Sequence, residues 1–138
     1  MNKNLFLLTI LMGLLLSSIL KAENVLYCES ELAIGFIKED RTWIESGFEK
    51  KRFTVKFNDD YTKLEGISYA PMDCSIQYET QQPSTLFCVH LAHEYKTFVF
   101  DRITKRFLFS SISSGSYVRD ESNNYDTENL YAGSCQTF

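Results

Sequence analysis

The sequence predicts an all-β domain, a small antiparallel barrel or sandwich, on three observations. Apolar residues recur with period two, as in Phe53, Val55 and Phe57 against Thr54 and Lys56. That is the alternation of a half-buried strand. Turn-forming clusters such as Asn58-Asp59-Asp60 and Gln81-Gln82-Pro83-Ser84 interrupt the apolar segments repeatedly, as in a chain of short strands. Aromatic residues make up 14% of the chain and suit strands and small barrel interiors. No amphipathic helical stripe of useful length competes with this pattern.

The chain opens with Lys3, an apolar run from Leu5 to Leu16, then Ser17, Ser18, Ile19, Leu20 and Lys21-Ala22 before polar Glu23-Asn24. A basic start, a short apolar middle and a small residue ahead of polar sequence predict a signal peptide over 1–22. From Leu5 to Leu20 the segment is shorter than the roughly 20 residues a membrane-spanning helix needs. The remaining 23–138 is predicted to be one β domain, exported to the periplasm or secreted, with no stable membrane insertion after cleavage.

Within that domain the elements follow in order. Ser30 has the character of an N-cap for one helical turn through Glu31, Leu32, Ala33 and Ile34, with Gly35 as its stop. Phe36-Ile37 and Trp43-Ile44 flank a polar loop from Lys38 to Thr42. Phe53 to Phe57 is a strand, Asn58-Asp59-Asp60 a turn, and Tyr61 to Ile67 the returning strand. Ala70-Pro71-Met72 breaks the chain before a strand from Cys74 to Thr80, and Pro83 marks the break before Thr85 to Leu91. Glu94 to Phe100 and Lys105 to Ile112 form a hairpin. If Asp101 and Thr104 bracket its turn, Phe98 opposes Phe107 and Phe100 opposes Lys105. Phe98, Phe100, Phe107 and Phe109 then share one face, read as core, and Tyr95, Val99 and Leu108 share the other. That second face is itself partly apolar, so the terminal strand or a partner is expected to cover it. Tyr117-Val118-Arg119 reads as a short strand, Asp120 to Asp126 as a polar loop, and Asn129 to Thr137 as the closing strand.

Cys28, Cys74, Cys88 and Cys135 all follow the leader. An even number of cysteines in a small exported domain predicts two disulfides. Of the three pairings we favour Cys74–Cys88, joining neighbouring strands, and Cys28–Cys135, tying the first strand to the last. The rival four-thiolate metal site lacks any Cys-x-x-Cys spacing.

Charge and composition exclude several functions. Without Lys3 and Lys21 the domain carries 12 basic and 18 acidic side chains, a net charge of −6. An acidic domain without a basic stripe is unsuited to nucleic acid or to an anionic lipid surface. The two histidines, His90 and His93, point to opposite faces of a continuous strand and converge only if Leu91-Ala92 turns. With Glu94 they would form a zinc-like set, or supply the base of a small hydrolase. No Ser lies in a Gly-x-Ser-x-Gly turn, and Asp59-Asp60 reads as a turn rather than a catalytic carboxylate pair. Arg102, Lys105 and Arg106 read as a solvated edge discouraging strand addition, or as a contact for an acidic partner. Trp43 reads as a core plug ahead of a sugar platform.

Cys28, Gly35-Phe36, Trp43, Phe48 and Phe53 to Phe57, then Phe100-Asp101-Arg102-Ile103-Thr104-Lys105-Arg106-Phe107 and Gly133-Ser134-Cys135, form a spaced framework. It resembles small exported or phage-encoded bacterial proteins with a Cys…Gly-Phe…Trp…Phe opening, a Phe-x-x-x-Thr-x-Arg-Phe hairpin and a closing Gly-x-Cys. The resemblance implies a shared β framework and adds no catalytic residue. The serine-rich stretch and the His90/His93 pair stand outside it.

The function expected is that of a non-enzymatic binding or interaction domain, a monomer without a cofactor, taking a small apolar ligand or a protein partner. Its binding surface is expected in the loops Lys38 to Thr42 and Ser113 to Asn124. The alternatives are a hydrolase or metal-dependent enzyme using His90 or His93, and an envelope structural protein assembling through its terminal strands.

Overall fold

A computed structural model of the chain describes residues 24–40, 42–76, 80–90, 96–112 and 127–137. Among them, nine strands form one antiparallel sheet: β1 (Asn24–Glu39), β2 (Thr42–Gly47), β3 (Arg52–Phe57), β4 (Lys63–Glu65), β5 (Met72–Ile76), β6 (Thr85–His90), β7 (Lys96–Asp101), β8 (Arg106–Ile112) and β9 (Thr127–Thr137). Strands β3 to β9 pair in chain order, β1 pairs with β3, and β9 pairs back onto β1. Eight strands therefore close a barrel. The ninth, β2, hydrogen-bonds to the distal part of β1 and rises beyond the ring.

β1 organises this arrangement. Its first part, Asn24 to Glu29, lies against β3, while Ile34 to Glu39 lies against β2. Along its other side it pairs with β9 from Leu26 to Ile37. Residues 30–35 are thus strand, and the helical turn expected there does not form. Ser30 pairs with Gly133 and Leu32 with Ala132, which leaves Glu31 as the extra residue of a β-bulge. The bulge changes the inward parity: Leu26, Cys28 and Ser30 face the interior before it, and Ala33, opposite Tyr131, after it. This break in alternation mimics helical spacing in the sequence. Ser30 spends its hydroxyl elsewhere, accepting the Lys51 backbone N–H at 2.7 Å. Gly133 permits the close approach at the bulge, since a Cβ there would lie 2.1 Å from the Glu29 carbonyl oxygen.

Phe98, Phe100, Phe107 and Phe109 all lie buried on the inner face. Phe98 stacks on Phe107 at 5.5 Å between ring centroids, Phe57 stacks on Phe100 at 5.5 Å, and Phe53 meets Phe107 edge-on at 5.3 Å. These rings fill the barrel interior. The hairpin register differs from expectation by two residues: Phe98 faces Phe109 and Phe100 faces Phe107. An even shift preserves the faces. Its cause is a longer turn, in which Lys105 takes a left-handed backbone (φ 59°) and donates its N–H to the Asp101 carbonyl at 2.9 Å.

Both favoured disulfides are present, each joining directly opposed residues: Cys28–Cys135 across β1 and β9, and Cys74–Cys88 across β5 and β6. In the chain-entropy model, closing loops of this size contributes about 5 and about 3 kcal/mol. Two disulfides suggest an oxidising, extracellular compartment. The short strand expected at Tyr117-Val118-Arg119 and the polar loop from Asp120 to Asp126 lie outside the described residues. So does the leader over 1–22.

The lower end of the barrel, where β1 begins and β9 ends, is closed by polar side chains. Tyr61 donates its hydroxyl to Asn24 Oδ1 at 2.9 Å, and the Arg102 guanidinium sits 5.3 Å from the Tyr61 ring. Arg102 also donates to the Pro83 carbonyl at 2.6 Å, and Lys105 covers the Phe100 ring. Arg102, Lys105 and Arg106 therefore do not form an open edge, because β8 is paired on both sides. Asp101 ties the turn together. One carboxylate oxygen accepts the Ile103 and Thr104 N–H groups, and the other accepts the hydroxyls of Ser84 and Thr85. The Ser84 hydroxyl, then the Thr104 N–H, hold its pKa well below the usual carboxylate range.

Two outcomes follow from this packing. Phe107→Ala should lower the urea-unfolding free energy by about 3–5 kcal/mol, and a loss below about 1 kcal/mol would contradict a buried ring. Because the folded pKa of Asp101 is depressed, its contribution is complete above its unfolded pKa of about 3.9 and is lost as pH falls through the folded value. Asp101→Asn should therefore weaken the acid dependence of stability below about pH 4, read by thermal unfolding across pH, and an unchanged dependence would refute that role.

Candidate binding site at the upper mouth

The upper end is built differently. The inward positions of four neighbouring strands continue past the phenylalanine layers into polar residues. On β6, Leu86 and Cys88 lead to His90; on β7, Phe100 and Phe98 lead to Lys96. On β8, Phe107 and Phe109 lead to Ser111; on β9, Tyr131 leads to Asn129. The register aligns them: His90 opposes Lys96, Lys96 opposes Ser111, Ser111 opposes Asn129, and Asn129 opposes Gly35. A polar row therefore crosses the rim directly above an aromatic floor, ending at a residue without a side chain.

Lys51 completes the mouth from the loop preceding β3. Its backbone is held at both ends by Ser30, which accepts the Lys51 N–H at 2.7 Å and donates its own N–H to the Lys51 carbonyl at 2.9 Å. Ser30 is 1% exposed, so this clamp is sheltered from water. It directs the Lys51 ammonium over the Tyr131 ring, 4.9 Å from the centroid. Phe109 stacks on Tyr131 at 5.9 Å, and Phe53 lies beside Phe109. Together Lys51, Phe53, Gly66, Ile67, Lys96, Phe109, Ser111 and Asn129 line a cavity of about 210 Å³.

Two atoms set this mouth apart. His90 Nδ1 and Asn129 Oδ1 are buried and have no hydrogen-bond partner among the described residues. Buried polar atoms are ordinarily satisfied, and leaving one unpaired costs about 1–3 kcal/mol. The cavity lining also holds two lysines and, among the described residues, no carboxylate, in a chain of net charge −4. Nearby Glu65 and Glu128 pair with Lys56 and Phe36 at outward positions.

The other sequence candidates fall elsewhere. His93 and Glu94 lie outside the described residues, as does the loop from Ser113 to Asn124. Among the described residues, β8 ends and β9 begins at the upper end. Lys38 to Thr42 is also at this end: Lys38 belongs to β1 and Thr42 to β2, with Asp40 following the end of β1 and Arg41 outside the described residues. Trp43 is not a core plug. It opposes Lys38 on the β1–β2 hairpin, with the ammonium 5.8 Å from its ring, outside the core cluster. Asp59-Asp60 is a turn at the lower end, where Asp60 accepts the Thr62 N–H and hydroxyl. The closing strand does not cover the outer face of the hairpin, because β9 is built into the barrel wall. An apolar stripe remains there, with Leu32, Ile34, Phe36 and Leu108 exposed, beside a depression of about 310 Å³. That depression is larger than the mouth, and beside its apolar residues it is lined by Glu45, Ser110, Glu128 and Asn129, without a lysine.

Sequence reasoning missed Lys51, Lys96, Ser111 and Asn129. A usable signal existed for two of them. Carrying the Phe98/Phe100 alternation back two residues reaches Lys96, and carrying Phe107/Phe109 forward reaches Ser111. No protein-family model, curated protein or solved structure matches the chain.

Proposed function

We propose that this protein is an exported, monomeric, non-enzymatic binding domain that takes a small ligand at its upper mouth, in the periplasm or outside the cell. The observation carrying the reading is the polar row of His90, Lys96, Ser111 and Asn129 above an aromatic floor, with two buried polar atoms left to be satisfied. Concave sites with apolar walls and a few converging polar groups are the usual form of small-molecule sites, and barrel mouths are a common location. The ligand is held at the rim, because the barrel interior is occupied by phenylalanine rings. The leader over 1–22 and the two disulfides support export.

A second reading, a protein partner laid against the barrel wall, is favoured by the stripe of Leu32, Ile34, Phe36 and Leu108. Exposed contiguous apolar surface of this kind marks interaction sites. Assembly through the terminal strands finds less support: β1 and β9 are paired to each other, and among the described residues the open edge belongs to β2.

Titration of the isotope-labelled domain with 2-naphthol, a neutral two-ring probe, separates these readings. Amide shifts concentrated at Lys96, Ser111 and Asn129 are expected. Shifts concentrated at Phe36 and Leu108 would move the site to the outer wall, and no saturable shifts at the mouth would overturn the proposal.

A further inference from the structure

We infer that the open edge of β2 receives an extended segment of another protein, paired strand to strand, in which a basic residue and a large apolar residue stand two positions apart. The site is separate from the upper mouth and does not rest on the ligand reading. Among the described residues every strand of the ring has a neighbour on both sides, and β2 alone is paired on one side, to β1. Thr42, Ile44, Glu45 and Gly47 on it are exposed. Edge strands are ordinarily protected by lysine, proline or a bulge. β2 contains neither residue, and its register with β1 runs from Thr42 opposite Glu39 to Gly47 opposite Ile34 without a shift. A row of unpaired backbone groups of this kind accepts a strand from a partner.

The outer face beside that edge specifies the side chains. Gly47 opposes Ile34 and Glu45 opposes Phe36, and both apolar residues are exposed. A strand added to β2 lies two interstrand spacings, about 10 Å, from β1. Apolar side chains on those two strands meet only across a residue that has none. Gly47 is that residue, since a Cβ there would have no atom within 4 Å. A large apolar residue opposite Gly47 therefore crosses to Ile34 and to the depression lined by Ile34, Phe36, Glu45 and Leu130. Two positions along, the same face of the added strand meets Glu45, the one charged residue of β2. In the β1–β2 hairpin, Lys38 is 3% exposed with its ammonium over Trp43, and Arg41 lies outside the described residues. Glu39, Asp40 and Glu45 are exposed, and the ion pairs Glu29–Arg52 and Lys63–Asp73 use none of them. Charge complementarity therefore places a basic residue opposite Glu45. It disfavours a second copy of the chain, whose two-fold pairing would bring two Glu45 side chains onto one short ladder.

The test uses the synthetic strand acetyl-Lys-Thr-Leu-Thr-Lys-Val-Thr-Lys-amide and the isotope-labelled, disulfide-bonded protein. Amide shifts and slowed exchange are expected over Ile44 to Gly47, with the protein still monomeric by sedimentation. Two versions of the peptide, N-methylated at alternate residues, keep every side chain and each block one backbone edge. One should bind about tenfold more weakly than the other, the effect of removing backbone hydrogen bonds. Changing the central lysine of the peptide to glutamate should weaken binding about threefold, and Glu45→Lys should reverse that preference. Changing the peptide leucine to alanine should weaken binding about fivefold, and Gly47→Ile, which fills the crossing, should remove the difference. Equal affinity of the two N-methylated peptides would overturn strand pairing. Shifts confined to Ser111 and Asn129 would place the peptide at the mouth and overturn the edge as its site. Absence of binding by the unmodified peptide would overturn it as well. A dimer forming without peptide, with exchange slowed over β2, would make a second copy the occupant and overturn the proposal.

Discussion

The antiparallel seam between β1 and β9 is the constraint on which the rest of the molecule depends. A sheet of eight strands has two edges, each exposing a row of unpaired backbone groups, and closure removes both. Here the first strand and the last pair over residues Leu26 to Ile37 of β1. The Cys28–Cys135 disulfide joins them within the core, between residues 107 apart in sequence. Without the seam the phenylalanine layers would lose one wall, and Asn129 would no longer stand between Ser111 and Gly35 at the rim. The bulge at Glu31 serves the same closure. It redirects β1 so that its distal half continues past the mouth, where β2 can pair with it.

The two ends of the barrel resolve their polar groups in opposite ways. At the lower end three charged groups have internal roles: Asp101 gathers four donor residues in and around its turn, Arg102 reaches two backbone carbonyls and a tyrosine ring, and Lys105 covers Phe100. At the upper end Lys51 is fixed through its backbone by Ser30, yet its ammonium and the neighbouring polar row converge on open volume. A structural role accounts for the first arrangement. The second leaves buried polar atoms without partners among the described residues, which a purely structural role does not explain.

Much of this fold was legible in the sequence because its signals are local. The alternation of Phe53, Val55 and Phe57 and the four phenylalanines of the β7–β8 hairpin report their own faces, whatever lies across from them. Cysteine count pointed to two disulfides, and position favoured, among three possible pairings, the one that the strand registers realise. The misread features depend on partners distant in sequence. Nothing within Ser30 to Gly35 announces that Gly133 lies opposite, so a bulge looked like a helical turn. The turn after Asp101 lengthened because its carboxylate also serves Ser84 and Thr85 from another strand. The mouth as a whole was not legible for the same reason: alternation alone reaches Lys96 and Ser111, but His90, Lys96, Ser111 and Asn129 become a row only through three strand registers.

Backbone proximity across the seam tests the account most directly. In the oxidised domain, interstrand nuclear Overhauser effects should connect Ser30 with Gly133 and Ala33 with Tyr131, with slow amide exchange on both sides of the bulge. A β1 whose residues beyond Glu31 show no cross-strand contacts to β9 and exchange as freely as an edge strand would contradict closure, and with it the placement of the mouth.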